Sequence, residues 1–227
     1  MHSSARKHCA RFFDAYVSSL QGEPLRPLRV GEIGAQDVNG SLRSICPEGV
    51  NYVGFDIEAG ANVDHVMKDP YIIPAQDATF DVILSTSCFE HTPLFWLMFQ
   101  EIMRVLKPDG LFYLCAPANG DFHRYPVDCW RFYPDSGFAL VEWGVRCGLS
   151  PALLESYTGH QDGDFWNDFV AVFIKSRQEV GRFPNRILDK LTAYDNGYVH
   201  GDQQFRHMKG RIEDGRKLDY LARALKL

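Results

Sequence analysis

The chain has no pair of cysteines at C-x-x-C spacing. Its six cysteines, Cys9, Cys46, Cys88, Cys115, Cys129 and Cys147, are scattered over 227 residues. That argues against a disulfide scaffold and against a structural zinc site, and it fits a reduced, cytoplasmic setting. Long apolar runs are also missing. Leu94–Phe99 is a purely apolar stretch of only six residues, far short of the ~18 that a membrane span needs. Neither sign of charge dominates: 24 Lys and Arg stand against 29 Asp and Glu, a net of −5, so a general nucleic-acid signature is absent. Arg6, Lys7, Arg11 and Asp14 interrupt the first apolar residues, and no secretory signal is read there. No internal repeat or low-complexity tract is visible.

What is present is an ordinary globular composition, 45% hydrophobic and 23% charged. Ala5, Cys9, Phe12, Phe13, Tyr16, Val17 and Leu20 recur at helical steps, so residues 5–20 are expected to form an amphipathic helix ended by Gly22, Pro24 and Pro27. Short apolar runs then alternate with helical patterns. Strands are expected over 28–33, 51–57, 63–66, 80–85, 111–116, 152–158 and 168–175. Helices are expected over 93–106 and 135–147, with a short one opening at Leu42. Such alternation predicts a doubly wound α/β fold, a mostly parallel sheet with helices on both faces.

The last 52 residues differ in character. Residues 176–227 carry 11 Lys and Arg against 7 Asp and Glu, a net of +4, and the rest of the chain is at −9. Phe205, Met208, Ile212, Leu218, Leu221 and Leu225 repeat at roughly helical spacing. The expected division is therefore a domain over 1–175 and a helical C-terminal extension over 176–227. The extension either packs on the core or serves as an arm for a homodimer or an acidic partner.

One stretch carries chemistry. In V-G-E-I-G-A-Q-D-V-N-G (30–40) an apolar strand ends in Glu32 and enters a loop of small residues. Gly34 and Ala35 let the backbone approach a ligand. The next strand ends in Asp56, where a carboxylate can accept hydrogen bonds from both hydroxyls of a ribose. Gln36 stands where a nicotinamide fingerprint needs its second glycine, which disfavours a pyrophosphate.

These segments, with Y-V-G-F-D-I (52–57), F-D-V-I-L-S-T-S-C-F-E-H (80–91) and E-I-M-R-V-L-K-P-D-G-L-F-Y-L (101–114), resemble the class I S-adenosylmethionine (SAM)-dependent methyltransferases of the type 11 group. The resemblance spans about residues 28–175. It implies a Rossmann-like, seven-stranded sheet whose last strand is antiparallel. It also implies roles by position. Glu32, Gly34 and Ala35 would flank the methionine part of SAM. Asp56 would hold the ribose, Ile57 would pack on adenine, Asp69 would meet the adenine amino group, and Ser85 and Ser87 would lie beneath the sulfonium. Many relatives have glycine in place of Gln36, so Gln36 is expected to close over the methionine end and lower affinity.

After the fifth strand comes P-A-N-G-D-F-H-R-Y-P-V-D-C-W-R-F-Y-P (117–134), which looks like the H-R-Y-P-x-D-x-W-R-F motif of a subset of this group. Loops at the carboxyl ends of parallel strands line the ligand crevice. Arg124, Tyr125, Asp128, Trp130 and Arg131 are therefore substrate-side candidates. For Trp130 the competing expectation is that it only seats the next helix. His123 is the first candidate for a general base and His91 the second, since imidazoles titrate near neutral pH. Glu90 is read as a brace for a helix start. One carboxylate after the fourth strand predicts no metal. The expected function is methyl transfer to a small polar acceptor, a hydroxyl of a sugar or glycan-pathway metabolite. The alternatives are a non-catalytic SAM-fold scaffold and, less favoured, a nicotinamide oxidoreductase.

Overall fold

The computed structural model describes residues 3–17, 20 and 27–225. Gly22 and Pro24, expected to end the first helix, lie outside the described residues. The strands are β1 (Arg29–Ile33), β2 (Asn51–Asp56), β3 (His65–Val66), β4 (Phe80–Thr86), β5 (Leu106–Pro117), β6 (Ala152–Gly159), β7 (Asp168–Ile174) and β8 (Tyr194–Val199). The helices are α1 (Ser3–Phe12), continued by a π-helical turn over Phe13–Val17, then α2 (Phe95–Val105), α3 (Ser136–Arg146) and α4 (Glu213–Leu225). No described helix is long and apolar enough to cross a membrane.

All eight strands join one sheet in the order β3-β2-β1-β4-β5-β7-β6-β8. The pairs among β1 to β5 are parallel, and β7 lies antiparallel between β5 and β6. The chain leaves β1 toward β2 on one side and returns beside it as β4 on the other. That reversal opens a crevice at the carboxyl ends of β1 and β4, where ligands of doubly wound sheets bind.

Alternation along the central strands builds two apolar layers. On β5, Leu111, Tyr113 and Cys115 join the layer of Phe12, Tyr16 and Val82. Phe112, Leu114 and Ala116 join the layer of Ile83, Phe99 and Ile102. A buried Leu, Ile or Phe contributes about 1.5–3 kcal/mol, so both layers hold the sheet edge that carries the site.

The extension is not purely helical. Its residues 194–199 form β8, antiparallel to β6 with Ser156 opposite Tyr198 and Gly159 opposite Tyr194, which makes the sheet eight-stranded rather than seven-stranded. The helix begins only at Glu213, so Phe205, Met208 and Ile212 precede it. A short, polar edge strand, Y-D-N-G-Y-V, shows little of the apolar alternation by which strands are read. The extension is anchored through Glu155 on β6, which is fully buried. Its carboxylate accepts from Tyr16 Oη at 2.6 Å, from the Ile187 amide at 2.7 Å and from the Leu188 amide at 3.0 Å.

Candidate active site at the carboxyl edge of the sheet

The loop after β1 turns at Gly34, whose φ of +79° only glycine adopts without strain. A Cβ there would also stand 2.6 Å from Cβ of Cys88. The Gly34 and Ala35 amides both donate to the Phe55 carbonyl, at 3.0 and 3.1 Å, and so bind the loop to the end of β2. Behind it, Glu32 is buried. Its Oε2 accepts from Tyr52 Oη and from Asn62 Nδ2 at 3.1 Å, and Asn62 also donates to the Ala35 carbonyl at 2.8 Å. Burial pushes the Glu32 carboxyl up to about 7.

Asp56 Oδ2 accepts the Gln36 amide at 2.9 Å, and Oδ1 accepts the Ile57 amide at 2.7 Å. Each carboxylate oxygen has a second lone pair, so both remain able to accept from a vicinal diol. Ile57, 44% exposed, offers an apolar surface beside them. These features fit a nucleoside. Asp69 is exposed and caps its own turn, Oδ1 accepting from the Tyr71 amide at 2.8 Å. Ser85 is fully buried, with Oγ donating to the Ile33 carbonyl at 3.2 Å, and it braces β1 against β4. Ser87 sits at φ +50°, its amide donating to the Cys115 carbonyl at 2.9 Å.

The aromatic loop after β5 is organised by Asp128. Arg131 forks onto its carboxylate at 2.6 and 2.9 Å, and the His123 amide donates to it at 2.7 Å. The Arg131 hydrogen bond holds the Asp128 carboxyl down, at about 2. Arg131 also donates to the Asp121 carbonyl at 2.7 Å and lies over the Trp166 ring at 5.9 Å. Tyr125 Oη donates to Gln36 Oε1 at 3.1 Å, and Arg124 is exposed. Trp130 donates to the Pro93 carbonyl at 3.2 Å and packs edge-on against Phe95. It thus seats the start of α2 while keeping 37% of its surface exposed.

His91 and His123 stand together, their rings edge-on with centroids 4.9 Å apart. His91 Nδ1 donates to the Val127 carbonyl, and burial lowers its pKa. His123 Nδ1 donates to the Asp121 carbonyl at 3.0 Å. Glu90 is buried, with Oε1 3.6 Å from His91 Nε2. Its backbone carbonyl accepts the Cys129 and Trp130 amides at 2.8 and 3.2 Å. Glu90 therefore faces the histidine pair, whereas adjacency to a helix start suggested only a brace.

Other residues reach the site unannounced by any motif. Trp166 lies edge-on to His123 at 5.0 Å. Asn119 and Asn167 link the loops after β5 and β6 and receive Glu213 and Asp214 from the first turn of α4. A lone tryptophan in the polar run D-G-D-F-W-N was the only available signal.

Residues 30–114 match the family model described as "Methyltransferase domain". No curated protein sequence matches the chain. Among solved structures, the chain is similar to a Burkholderia thailandensis 1,6-didemethyltoxoflavin-N1-methyltransferase solved with 1,6-didemethyltoxoflavin and S-adenosylhomocysteine. That similarity has 17% identity and a TM-score of 0.54, covering 77% of this chain and 80% of the other. A SAM-dependent methyltransferase from Methanosarcina mazei gives 13% identity, 69% and 96% coverage and a TM-score of 0.51. The [4+2]-cyclase SpnF gives 13% identity, 75% and 81% coverage and a TM-score of 0.52. The fold is common to all three, and with a cyclase among them the fold alone does not fix the reaction.

Proposed function

We propose that the chain, whose residues 30–114 match the methyltransferase-domain model, is a class I, SAM-dependent methyltransferase and that it methylates a small polar acceptor, a hydroxyl of a sugar or glycan-pathway metabolite. One observation carries the acceptor class. The loop joined to Gln36 through Tyr125 presents His123, Arg124 and Tyr125 on a frame held by the Asp128–Arg131 pair, donors and acceptors suited to hydrogen-bonding a polyol.

Bound SAM supplies an electrophilic methyl group on its sulfonium. Asp56 would hold the ribose hydroxyls, Ile57 would offer its apolar face to adenine and Asp69 would take the adenine amino group. The backbone at Gly34 and Ala35, with Glu32 behind it, would flank the methionine end, and Ser85 and Ser87 would lie on the β4 side of it. His123 takes the acceptor proton at Nε2, since Nδ1 is engaged by the Asp121 carbonyl. His91 serves as the second base or holds the loop through Val127. Arg124, Tyr125 and the exposed face of Trp130 contact the acceptor, and Asp128 with Arg131 keeps that loop in shape. Holding acceptor and methyl in line supplies several kcal/mol of the rate enhancement. The acidic balance of residues 1–175, net −9, disfavours a nucleic-acid phosphate backbone as acceptor.

The experiment is transfer of labelled methyl from SAM into fractionated polar metabolites and glycans, with S-adenosylhomocysteine release in parallel. Label in a neutral or zwitterionic polyol supports the reading. Label confined to protein or nucleic acid overturns the acceptor class.

A further inference from the structure

Glu90, His91 and His123 each offer one ligand atom, and those atoms all lie within 4.8 Å of one another. The two histidines hold one tautomer for the same reason. Nδ1 of each faces a backbone carbonyl, Val127 for His91 and Asp121 for His123. A carbonyl only accepts, so at His91 Nδ1 carries the proton and Nε2 keeps its lone pair; at His123 the 3.0 Å carbonyl contact outweighs the 3.5 Å approach of the Arg131 guanidinium and sets the same tautomer. An imidazole that donates one N–H to a carbonyl and presents the other nitrogen bare is the form that ligates metals. Glu90 adds an independent observation. It is 1% exposed, and its Oε2 has no hydrogen-bond partner. A buried carboxylate oxygen left without a donor is costly, and a cation beside it removes that cost.

We propose that Glu90, His91 and His123 form a binding site for a divalent first-row transition-metal ion. Two imidazoles and one carboxylate suit zinc and iron(II), and leave coordination positions open. Metal–ligand bonds of about 2.0–2.2 Å allow ligand atoms to be at most ~4.3 Å apart, so the widest pair closes slightly on binding. His123, on a loop and 36% exposed, is the side chain with room to move. Arg131 comes within 3.5 Å of His123 Nδ1, but its charge is matched by the Asp128 carboxylate on which it forks. The sequence expectation of no metal counted carboxylates on the loop after β4, whereas this set needs an imidazole from the loop after β5. The site stands on its own geometry. Its use rests on the methyl-transfer reading: a hydroxyl bound to the ion would ionise near neutral pH, losing its proton to solvent, and in the metal-loaded protein that ionisation replaces proton transfer to His123 Nε2.

The test is metal binding by the full chain, without cofactor or acceptor. Metal-stripped protein is titrated with Zn²⁺ by calorimetry, and Co²⁺ loading is followed by visible absorption. One ion per chain is expected, with Co²⁺ d–d bands that disappear in His123→Gln. His91→Gln and Glu90→Gln should each weaken Zn²⁺ binding at least about tenfold. Circular dichroism checks folding, and His123→Gln, on the exposed loop, keeps the test open if a buried variant does not fold. Absence of Zn²⁺ binding overturns the site. So does stoichiometric binding unchanged in His123→Gln and His91→Gln, the result expected of a surface thiol such as Cys129. SAM titrated into the same stripped protein separates the two readings: SAM binding without Zn²⁺ binding sinks the metal site alone.

Discussion

Tyr125 Oη donates to Gln36 Oε1 at 3.1 Å, joining two loops that are 89 residues apart in the chain. The Gln36 amide also lies so close to Gly60 that a Cβ there would be 2.6 Å from Nε2. Gln36 therefore bridges the loop after β5 and the loop after β2, beside Gly34 and Ala35. Gln36→Gly should tighten SAM binding severalfold, and Tyr125→Phe should leave SAM affinity within about threefold while raising acceptor KM, since one exposed hydrogen bond contributes about 0.5–1.5 kcal/mol. Calorimetry with SAM measures the first. A tenfold weakening in Gln36→Gly would show that the side chain grips the cofactor instead of crowding it.

Asp56 has a double duty that sets the size of its effect. It holds the loop through the Gln36 amide at 2.9 Å and is assigned the ribose. Asp56→Ala should weaken SAM binding by about 1.5–3 kcal/mol, the range for hydrogen bonds to charged groups. Asp56→Asn keeps one acceptor oxygen and should lose less. Gly34→Val, which needs the φ of +79° and clears no space beside Cys88, should abolish binding in a folded protein. Unchanged SAM affinity in folded Asp56→Ala removes the ribose assignment.

His123 and His91 can be told apart by kinetics. His123→Ala should lower kcat at least about tenfold, general-base assistance being typically 10²–10⁴ in rate, with SAM affinity nearly intact. His91→Ala should lose less if His91 only braces the loop through its contact to the Val127 carbonyl. A fully active His123→Ala beside a dead His91→Ala would reverse the two roles.

Much of the fold was legible because its central strands are apolar on both faces and their helices carry one apolar stripe. β1, β4 and β5 lie within a residue or two of the spans read from the sequence, save that β5 begins earlier, at Leu106. β8 was hidden, since an edge strand buries little and Y-D-N-G-Y-V shows almost no alternation. The turn at Gly34 was readable because its positive φ restricts residue type. The Glu90–His91–His123 cluster was not, because it is made by folding the loop after β5 back onto the end of β4, a contact that no local spacing encodes.

Glu155 offers a stability test of how the extension is held. Its carboxylate is the shared acceptor for Tyr16, Ile187 and Leu188, so Glu155→Ala strands a hydroxyl and two amides in the core. Leaving buried donors unpaired costs about 1–3 kcal/mol each at most, and partial rehydration keeps the total near ~3 kcal/mol. For a domain of this size that lowers Tm by about 6–12 °C. Tyr16→Phe removes one donor only and should cost about 1 kcal/mol. A Glu155→Ala protein as stable as the parent would show that the extension is held by its apolar contacts alone.

His8 should make the fold acid-sensitive in a window set by its own titration. The ring is 5% exposed, and its Nδ1 accepts from Tyr157 Oη at 2.9 Å. Burial, then the Arg11 charge, lowers its pKa to about 4, with Lys7 acting the same way and Asp162 opposing. The unfolded chain holds this imidazole near ~6.5, so between about 4 and 6.5 the unfolded state binds more protons than the native state. Stability from His8 is therefore fully present above pH ~6.5 and is lost as pH falls toward 4. Linkage puts the loss at about 2 kcal/mol by pH 5 and about 3 kcal/mol by pH 4. Glu32 and Glu90, raised to about 7 and about 8, act in the opposite sense, since they bind protons more readily in the native state. The comparison must therefore be between the parent and His8→Gln in the same buffers, by urea unfolding at pH 7.5 and pH 5. The parent should lose about 2 kcal/mol more than His8→Gln over that interval. Equal losses would mean that His8 takes up its proton in the folded state, with Tyr157 turned away to make room for it.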